Sequence, residues 1–398
     1  MVEKKPYCYA PWVGLNITTG SNVNYKNQKP NTNYMYYAPC CAWQGKYYNG
    51  PIEELYESDY WKKIIKDMEE HNIENLKDSC KECFVREKSS SESDRQHIYS
   101  LVHNTKWDKK NLTEEEWRHT NKYVPGKLNW LDYRPSNECN FKCRMCSPSN
   151  SNLIAKEENE NIPMSKDNDI YKIDLSDLKV LKILGGEPTI QKEVHDFLDY
   201  VIENYNTSYF SFSYTTNMAV VNNKWLDKLK NFKKVFVEMS IDGTGNTFEY
   251  MRTNGKWNIV EKNIKKLYIF SKVNKFKDFR IKFHVTIGAV LLVTIEEWLP
   301  WFIKNDHIDA EFYPLGGVAG EIGALEEKYR IPVINYLNSL NHSYAKDILS
   351  LIDAEEYHEK LFSIFKKKII QQDKIRETNI KNLHPTLNEM FINTTESF

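Results

Sequence analysis

The chain has no long apolar run: nothing in its 398 residues approaches the roughly 20 consecutive apolar positions of a spanning helix, and the mean hydropathy is -0.64. It also has almost no net charge. Lys+Arg 54 against Asp+Glu 55 leaves a formal -1, so no global field draws it to nucleic acid or to an anionic bilayer, and neither is expected as a partner. The start, Met1-Val-Glu-Lys-Lys-Pro6, lacks an apolar stretch of the signal-peptide kind. A soluble chain in the cytoplasm (the host cytoplasm, for a viral gene) is the expectation. No internal repeat is visible, and cysteine is missing altogether beyond residue 146. At 47.1 kDa the chain can still bury a substantial core. Aromatic residues make up 13% of it. The parallel abundance of Asn, Lys and Ile ties that excess to nucleotide composition rather than to an aromatic binding surface.

What is present is a crowd of eight cysteines in the first 146 residues. One group is Cys139-x3-Cys143-x2-Cys146; the other is Cys8, Cys40, Cys41, Cys80 and Cys83. Thiolates at short spacing suit an inorganic core on which several ligands converge, and they point to a reducing compartment rather than a disulfide framework. Three at x3, x2 spacing without a nearby fourth suit an iron–sulfur cluster with one iron left open. Zinc is the rival for each group: with a borrowed fourth ligand at the triad, although no histidine pair lies near it, and as a four-cysteine knuckle using Cys80-x2-Cys83.

The organisation divides at changes of pattern. Residues 1–95 read as a small α+β module: strands at Trp12–Thr18 and Met35–Ala38 flank the polar stretch Gly20–Asn33, and Leu55–Glu70 has helical spacing. Residues 96–126 read as a linker, introduced by the polar run at Ser89 and bridged by a helix over Trp107–Thr120. From 127 to 320, strand-like runs Leu128–Tyr133, Val180–Leu184, Tyr209–Thr215, Val235–Ile241, Arg280–Ile287 and Ala310–Tyr313 alternate with amphipathic helices. Six parallel strands with crossover helices predict a partial (β/α)6 TIM barrel. Residues 321–398 read as a helical segment that packs on the barrel or closes its mouth. Reactive groups of parallel barrels gather where strands end. There the triad follows the first strand, Gly185-Gly186-Glu187-Pro188 the second, Asn217 the third, and Ser240-Ile-Asp242 the fourth.

Together these motifs resemble the radical S-adenosylmethionine (SAM) superfamily over residues 128 to about 315. The triad resembles its CxxxCxxC and Gly185–Pro188 its GGEP, while Tyr250-Met-Arg252 with Gly255-Lys-Trp257 is similar to a segment of its peptide-modifying branch. The resemblance implies a [4Fe–4S] cluster on Cys139, Cys143 and Cys146 whose open iron chelates SAM. It implies reductive cleavage of SAM to a 5′-deoxyadenosyl radical that abstracts hydrogen from a substrate, with electrons from a donor of flavodoxin or ferredoxin type. Gly185 and Gly186 would let backbone approach the methionine end of SAM, and Glu187 would accept from its ammonium. Asn217, Ser240 and Asp242 would offer polar groups, and Arg252 a carboxylate partner. Asn217 departs from the superfamily's common Thr-Asn-Gly.

The amino-terminal cysteines resemble the auxiliary-cluster modules called twitch or SPASM, here placed before the barrel, an order associated with phage and bacterial proteins. That implies an auxiliary [4Fe–4S] cluster on Cys8, Cys40, Cys80 and Cys83, with Cys41 spare or alternative. The expected substrate is a peptide or protein side chain. A small-molecule (sugar or cyclitol) dehydrogenase and a non-catalytic iron–sulfur module are the alternatives. Only seven residues precede Cys8, and no peptide-binding winged helix-turn-helix is read there.

Overall fold

A computed structural model describes residues 8–19, 31–88, 93–96, 98, 125–165, 169–316 and 320–392. The expected helix over Trp107–Thr120, the linker around it, and most of the Gly20–Asn33 stretch lie outside them. The described strands are β1 Gly14–Thr18, β2 Tyr36–Ala38, β3 Trp130–Arg134, β4 Lys142–Cys143, β5 Val180–Ile183, β6 Ser211–Thr216, β7 Lys234–Ser240, β8 Arg252–Thr253, β9 Asp278–Ile287 and β10 Asp309–Pro314. Eight form one sheet in the order β10-β9-β7-β6-β5-β3-β1-β2, and β4 pairs with β8 apart from it. Every pairing in the large sheet is parallel except β1 with β2.

Period-two alternation sets the faces of this sheet. In β7, Val235, Val237 and Met239 are buried, while Phe236, Glu238 and Ser240 alternate with them. The apolar face is covered by helices. These include α6 Lys192–Asn204, which buries Val194, Phe197, Leu198 and Val201, spaced as one helical stripe. Also on this face are α7 Asn223–Leu229, α9 Trp257–Val273 and α11 Ile295–Lys304, preceded along the chain by the short α1 Ala10–Val13, α2 Asp59–Glu69, α3 Ile73–Leu76, α4 Lys81–Lys88 and α5 Asn152–Glu157, by α8 Gly245–Met251 and by α10 Ala289–Val293. Edge-to-face ring pairs tie the layers: Tyr133 with Phe197 at 4.9 Å, and Tyr214 with Trp225 at 5.0 Å. The opposite, inner face carries the polar residues of each strand.

The sheet corrects two expectations. Trp12 and Val13 belong to the helical turn α1 rather than to a strand, because Pro11 occupies its first turn, where a fixed φ and a missing N–H are tolerated. And the sheet has seven parallel strands, not six, since β1 pairs with β3 from Gly14↔Trp130 to Thr18↔Arg134. The amino-terminal segment is thus continuous with the barrel sheet. Beyond it, α12 Glu327–Ser339, α13 Ser343–Asp353, α14 Glu359–Arg376 and α15 Pro385–Ile392 form the helical end of the chain. No described helix is long and apolar enough to cross a membrane.

Candidate functional site

The triad occupies the loop leaving β3. Its central member, Cys143, sits on β4 opposite Arg252 of β8, so the Tyr250-Met-Arg252 segment forms a wall behind the loop. Arg144 N–H donates to Met251 O at 2.8 Å and Cys146 N–H to Cys143 O at 3.1 Å, which fix the loop's backbone; Cys139 N–H donates to Asn152 Oδ1 at 3.1 Å. All three thiols are free, and burial pushes each one's pKa up, that of Cys146 to about 12. The Arg252 guanidinium opposes the effect at Cys143, to whose Sγ its Nη1 donates at 3.6 Å. A metal taking these sulfurs would have to displace their protons, and a cation already stands beside the central one.

Gly185 and Gly186 follow β5 and press against this same loop. A Cβ on Gly186 would stand 2.0 Å from Glu138 O, and one on Gly185, whose φ is +130°, 2.8 Å from Ser136 O. The two missing side chains therefore admit the backbone that enters the cysteine loop. Glu187 N–H donates to Glu138 O at 2.8 Å and locks the dock. The Glu187 carboxylate is fully buried. Its Oε1 accepts from Thr189 Oγ1 (2.6 Å), Thr216 Oγ1 (2.8 Å) and Thr189 N–H (3.3 Å), and Oε2 accepts from Asn217 N–H (2.7 Å). Burial raises its pKa against those four bonds. Glu187 thus ties the end of β5 to the end of β6, and only Oε2 keeps free accepting capacity for an ammonium.

Asn217 extends the tie, donating through Nδ2 to Asn140 Oδ1 of the cysteine loop at 2.8 Å while its Oδ1 accepts from Ala219 N–H. Ser240 ends β7, half-buried on the inner face opposite His284. Asp242 is fully buried. One of its oxygens accepts from Thr286 N–H at 2.8 Å, and the other pairs with Arg252 Nη2 at 2.5 Å. Burial works against the Arg252 charge, but Asp242 and Cys143 outweigh it and hold it protonated. Arg252 Nε has no partner among the described residues. The strand ends thus bring together Cys139, Cys143, Cys146, Gly185, Gly186, Glu187, Asn217, Asp242 and Arg252. A donor set of three thiols beside a glycine cradle and a buried cation fits an iron–sulfur cluster and a zwitterionic ligand.

Sequence reasoning missed the residues that hold the loop from behind. Arg144, between two of the cysteines, is buried; it donates to Tyr250 O (2.9 Å), Asp373 Oδ1 (2.7 Å) and Thr378 Oγ1 (2.6 Å) and lies 3.6 Å over the Tyr250 ring. Arg376 of α14 grips Glu157 at 2.7 Å and donates to Lys142 O at 2.9 Å. An arginine inside the cysteine loop was the available signal, but its partners lie 106 to 234 positions away.

The second cysteine group also converges. Cys8, Cys40, Cys80 and Cys83 line one small cavity with Trp43, Met68 and Arg95. Gln44 N–H donates to Ser79 O at 2.8 Å, which joins the chain after Cys40 to the chain before Cys80. Ala10 N–H donates to Cys8 Sγ at 3.4 Å, and burial pushes the Cys8 pKa up to about 12. The vicinal pair divides: Asp94 acts on both, but Cys40 feels Cys41, Cys8 and Cys83, whereas Cys41 feels Asp132, Lys182 and Arg134 of the inner face. Among the described residues, no three His, Cys, Asp or Glu side chains are gathered around one single-ion centre; a multi-iron cluster spreads its ligands wider than one ion does.

The sequence pattern of the Radical SAM superfamily matches residues 133–288. An uncharacterized protein of Methanocaldococcus jannaschii, MJ0907, is 26% identical over 177 residues, which are 44% of this chain and 58% of that protein. Among solved structures, anSMEcpe with bound AdoMet and a Cp18Cys peptide is 16% identical over 52% of this chain and 59% of that one, with a TM-score of 0.38. SuiB of Streptococcus suis bound to S-adenosylmethionine is 15% identical over 81% and 68%, with a TM-score of 0.34. The match thus spans a little under three fifths of the MJ0907 and anSMEcpe chains. Residues 133–288, with the cysteine loop and the glycine cradle inside them, match the Radical SAM superfamily.

Proposed function

We propose that the protein cleaves SAM reductively and abstracts hydrogen from a peptide or protein side chain, with two iron–sulfur sites. Cys139, Cys143 and Cys146 would hold a [4Fe–4S] cluster, and Gly185, Gly186, Glu187, Asn217, Ser240, Asp242 and Arg252 would surround SAM. Bound there, the cluster and SAM supply one-electron cleavage of a sulfonium bond, the source of the hydrogen-abstracting radical. The chain's own residues do the positioning. Glu187 and Asn217 hold two strand ends and the cysteine loop in one register. Arg252, held by Asp242, places a positive charge against Cys143 Sγ and lowers the cost of a buried thiolate.

The observation that carries this reading is the docking of the three-thiol loop on Gly185, Gly186 and Glu187 across adjacent strand ends. Cys8, Cys40, Cys80 and Cys83 would hold an auxiliary [4Fe–4S] cluster in a twitch-like arrangement, the cavity they share favouring Cys40 over Cys41. The peptide class rests on the Tyr250-Met-Arg252 and Gly255-Lys-Trp257 segments and on this second set of thiols. A low-potential donor of flavodoxin or ferredoxin type would supply electrons. Incubation of reconstituted protein with deuterated candidate peptides tests the substrate class: deuterium should pass into 5′-deoxyadenosine. Transfer from a deuterated sugar alcohol, and from no peptide, would replace the peptide reading by the dehydrogenase one.

A further inference from the structure

Between the two cysteine sites lies a set of buried polar atoms that none of the roles above uses. In the parallel ladder, Asn16 of β1, Asp132 of β3 and Lys182 of β5 stand side by side, and Thr18 pairs with Arg134 one step further along. Alternation puts all five on the inner face, away from the helix-covered positions Leu131, Tyr133, Leu181 and Ile183. Asn16, Thr18 and Asp132 are at most 1% exposed. Yet Asn16 Oδ1, Thr18 Oγ1, Asp132 Oδ1 and Arg134 Nε have no hydrogen-bond partner among the described residues. Two of these side chains spend their other polar atom elsewhere: the Asn16 side chain bonds Tyr47, and Asp132 Oδ2 accepts from Trp130 Nε1 at 2.8 Å. Lys182 reaches Glu238 only at 3.8 Å, an ion-pair rather than a hydrogen-bond distance. Buried polar atoms left unpaired are costly, and four on adjacent strands mark a place that something polar fills.

Its position is informative. Trp130 and Val180, one step below on the same face, belong to the cluster that packs around Cys8, Cys40 and Cys80. The strand ends above carry Cys139 and Glu187. At about 3.3 Å per residue, Trp130 to Arg134 covers roughly 13 Å, so the polar set sits midway between the two cysteine sites, with Cys41 beside it.

We infer that this inner-face set is a substrate subsite that recognises an amino-acid carboxylate together with its neighbouring N–H group, as presented by a free amino acid or by the carboxylate end of a peptide. The inference rests on the radical SAM reading and narrows its substrate. The unpaired oxygens of Asn16 and Asp132 accept from the N–H; Arg134 and Lys182 supply the cationic donors for the carboxylate; Thr18 can serve either group. Arg134 offers a planar fork suited to a carboxylate. A wholly apolar ligand would leave these atoms unpaired, and a plain anion would leave the acceptors so.

The test is saturation-transfer NMR on the reconstituted, SAM-loaded full chain. Three probes are used: the twenty free amino acids, a random octapeptide library with free carboxylate ends, and the same library amidated. Selective, saturable binding from the amino acids or from the free-acid library is expected, with the two arms telling the sources apart. Arg134→Gln and Asp132→Asn should each weaken the selected ligand about tenfold or more, the loss of one charged hydrogen bond. If either variant no longer melts like the wild type, Lys182→Met takes its place. Equal binding of the amidated library, no selection from any probe, or undiminished affinity in well-folded variants would overturn the subsite and leave ordered water as its filling. The same wild-type samples are assayed for 5′-deoxyadenosine. Cleavage without probe binding rejects the subsite alone, whereas absence of cleavage removes the reading beneath it.

Discussion

At the scale of single residues, the glycine pair and Glu187 hold the protein's own loops together. Gly186→Ala would push a methyl into Glu138 O, so the cysteine loop must move. A destabilisation of about 1–3 kcal/mol is expected, together with less iron retained after reconstitution, read by denaturant melts and iron analysis. Glu187→Ala strands two threonine hydroxyls and two N–H groups. It should lower unfolding free energy by roughly 1–3 kcal/mol, and unchanged stability with weakened SAM affinity would mean that the carboxylate serves only the ligand. On the inner face, burial would raise the Glu238 pKa, but Lys182 and Lys282 outweigh burial and hold it at about 2 against an ordinary 4.5. Between those values the unfolded chain binds the additional proton. The stabilisation is therefore complete above pH 4.5 and is lost as pH falls toward 2, on the order of 3 kcal/mol. Unfolding of cluster-free protein across that window should be distinctly less pH-dependent in Glu238→Gln; parallel curves would contradict the pairing.

At the scale of elements, α14 clasps the back of the cysteine loop. Arg376, whose side chain is wholly buried, pairs with Glu157, and Asp373 takes Arg144, Tyr250 and Ile380 N–H. Arg376→Met leaves Glu157 with Lys142 alone, and a loss of about 3 kcal/mol is expected. Adding Glu157→Gln should recover part of it, because the stranded charge is gone; purely additive losses in that double-mutant cycle would show that the two residues do not act as a pair. This clasp was not legible in the sequence, where 321–398 reads only as amphipathic helix. The cysteine triad, Gly185–Pro188 and the six strands were legible because each is a contiguous pattern of spacing or alternation. The strand within Trp12–Thr18 was legible too, but its parallel pairing with β3 was not: Asn16 and Thr18 interrupt the apolar run that a strand buried on both faces ordinarily shows. Likewise the bond from Asn217 to Asn140 joins loops 77 positions apart, and no local period encodes it. It gives Asn217, which departs from the commoner triplet, a structural place.

At the scale of the molecule, the inner face runs from the cavity of Cys8, Cys40, Cys80 and Cys83, through the charged rows of β3, β5, β7 and β9, to the strand ends with the triad. The two thiol sets sit on different parts of the chain, so their losses should separate. Cys80→Ala with Cys83→Ala should leave SAM cleavage in place while substrate turnover stops. Aggregated protein would instead make that site a scaffold, and full turnover would make it dispensable. The most direct measurement of the central claim is 5′-deoxyadenosine formed by anaerobically reconstituted protein, carrying about eight irons if both sites hold four-iron clusters, with SAM and a strong reductant. The wild type should produce it, and the combined Ala variant of Cys139, Cys143 and Cys146 should produce none and carry about half the iron. A fully iron-loaded wild type that makes no 5′-deoxyadenosine, or a triple variant that makes as much, would contradict the account.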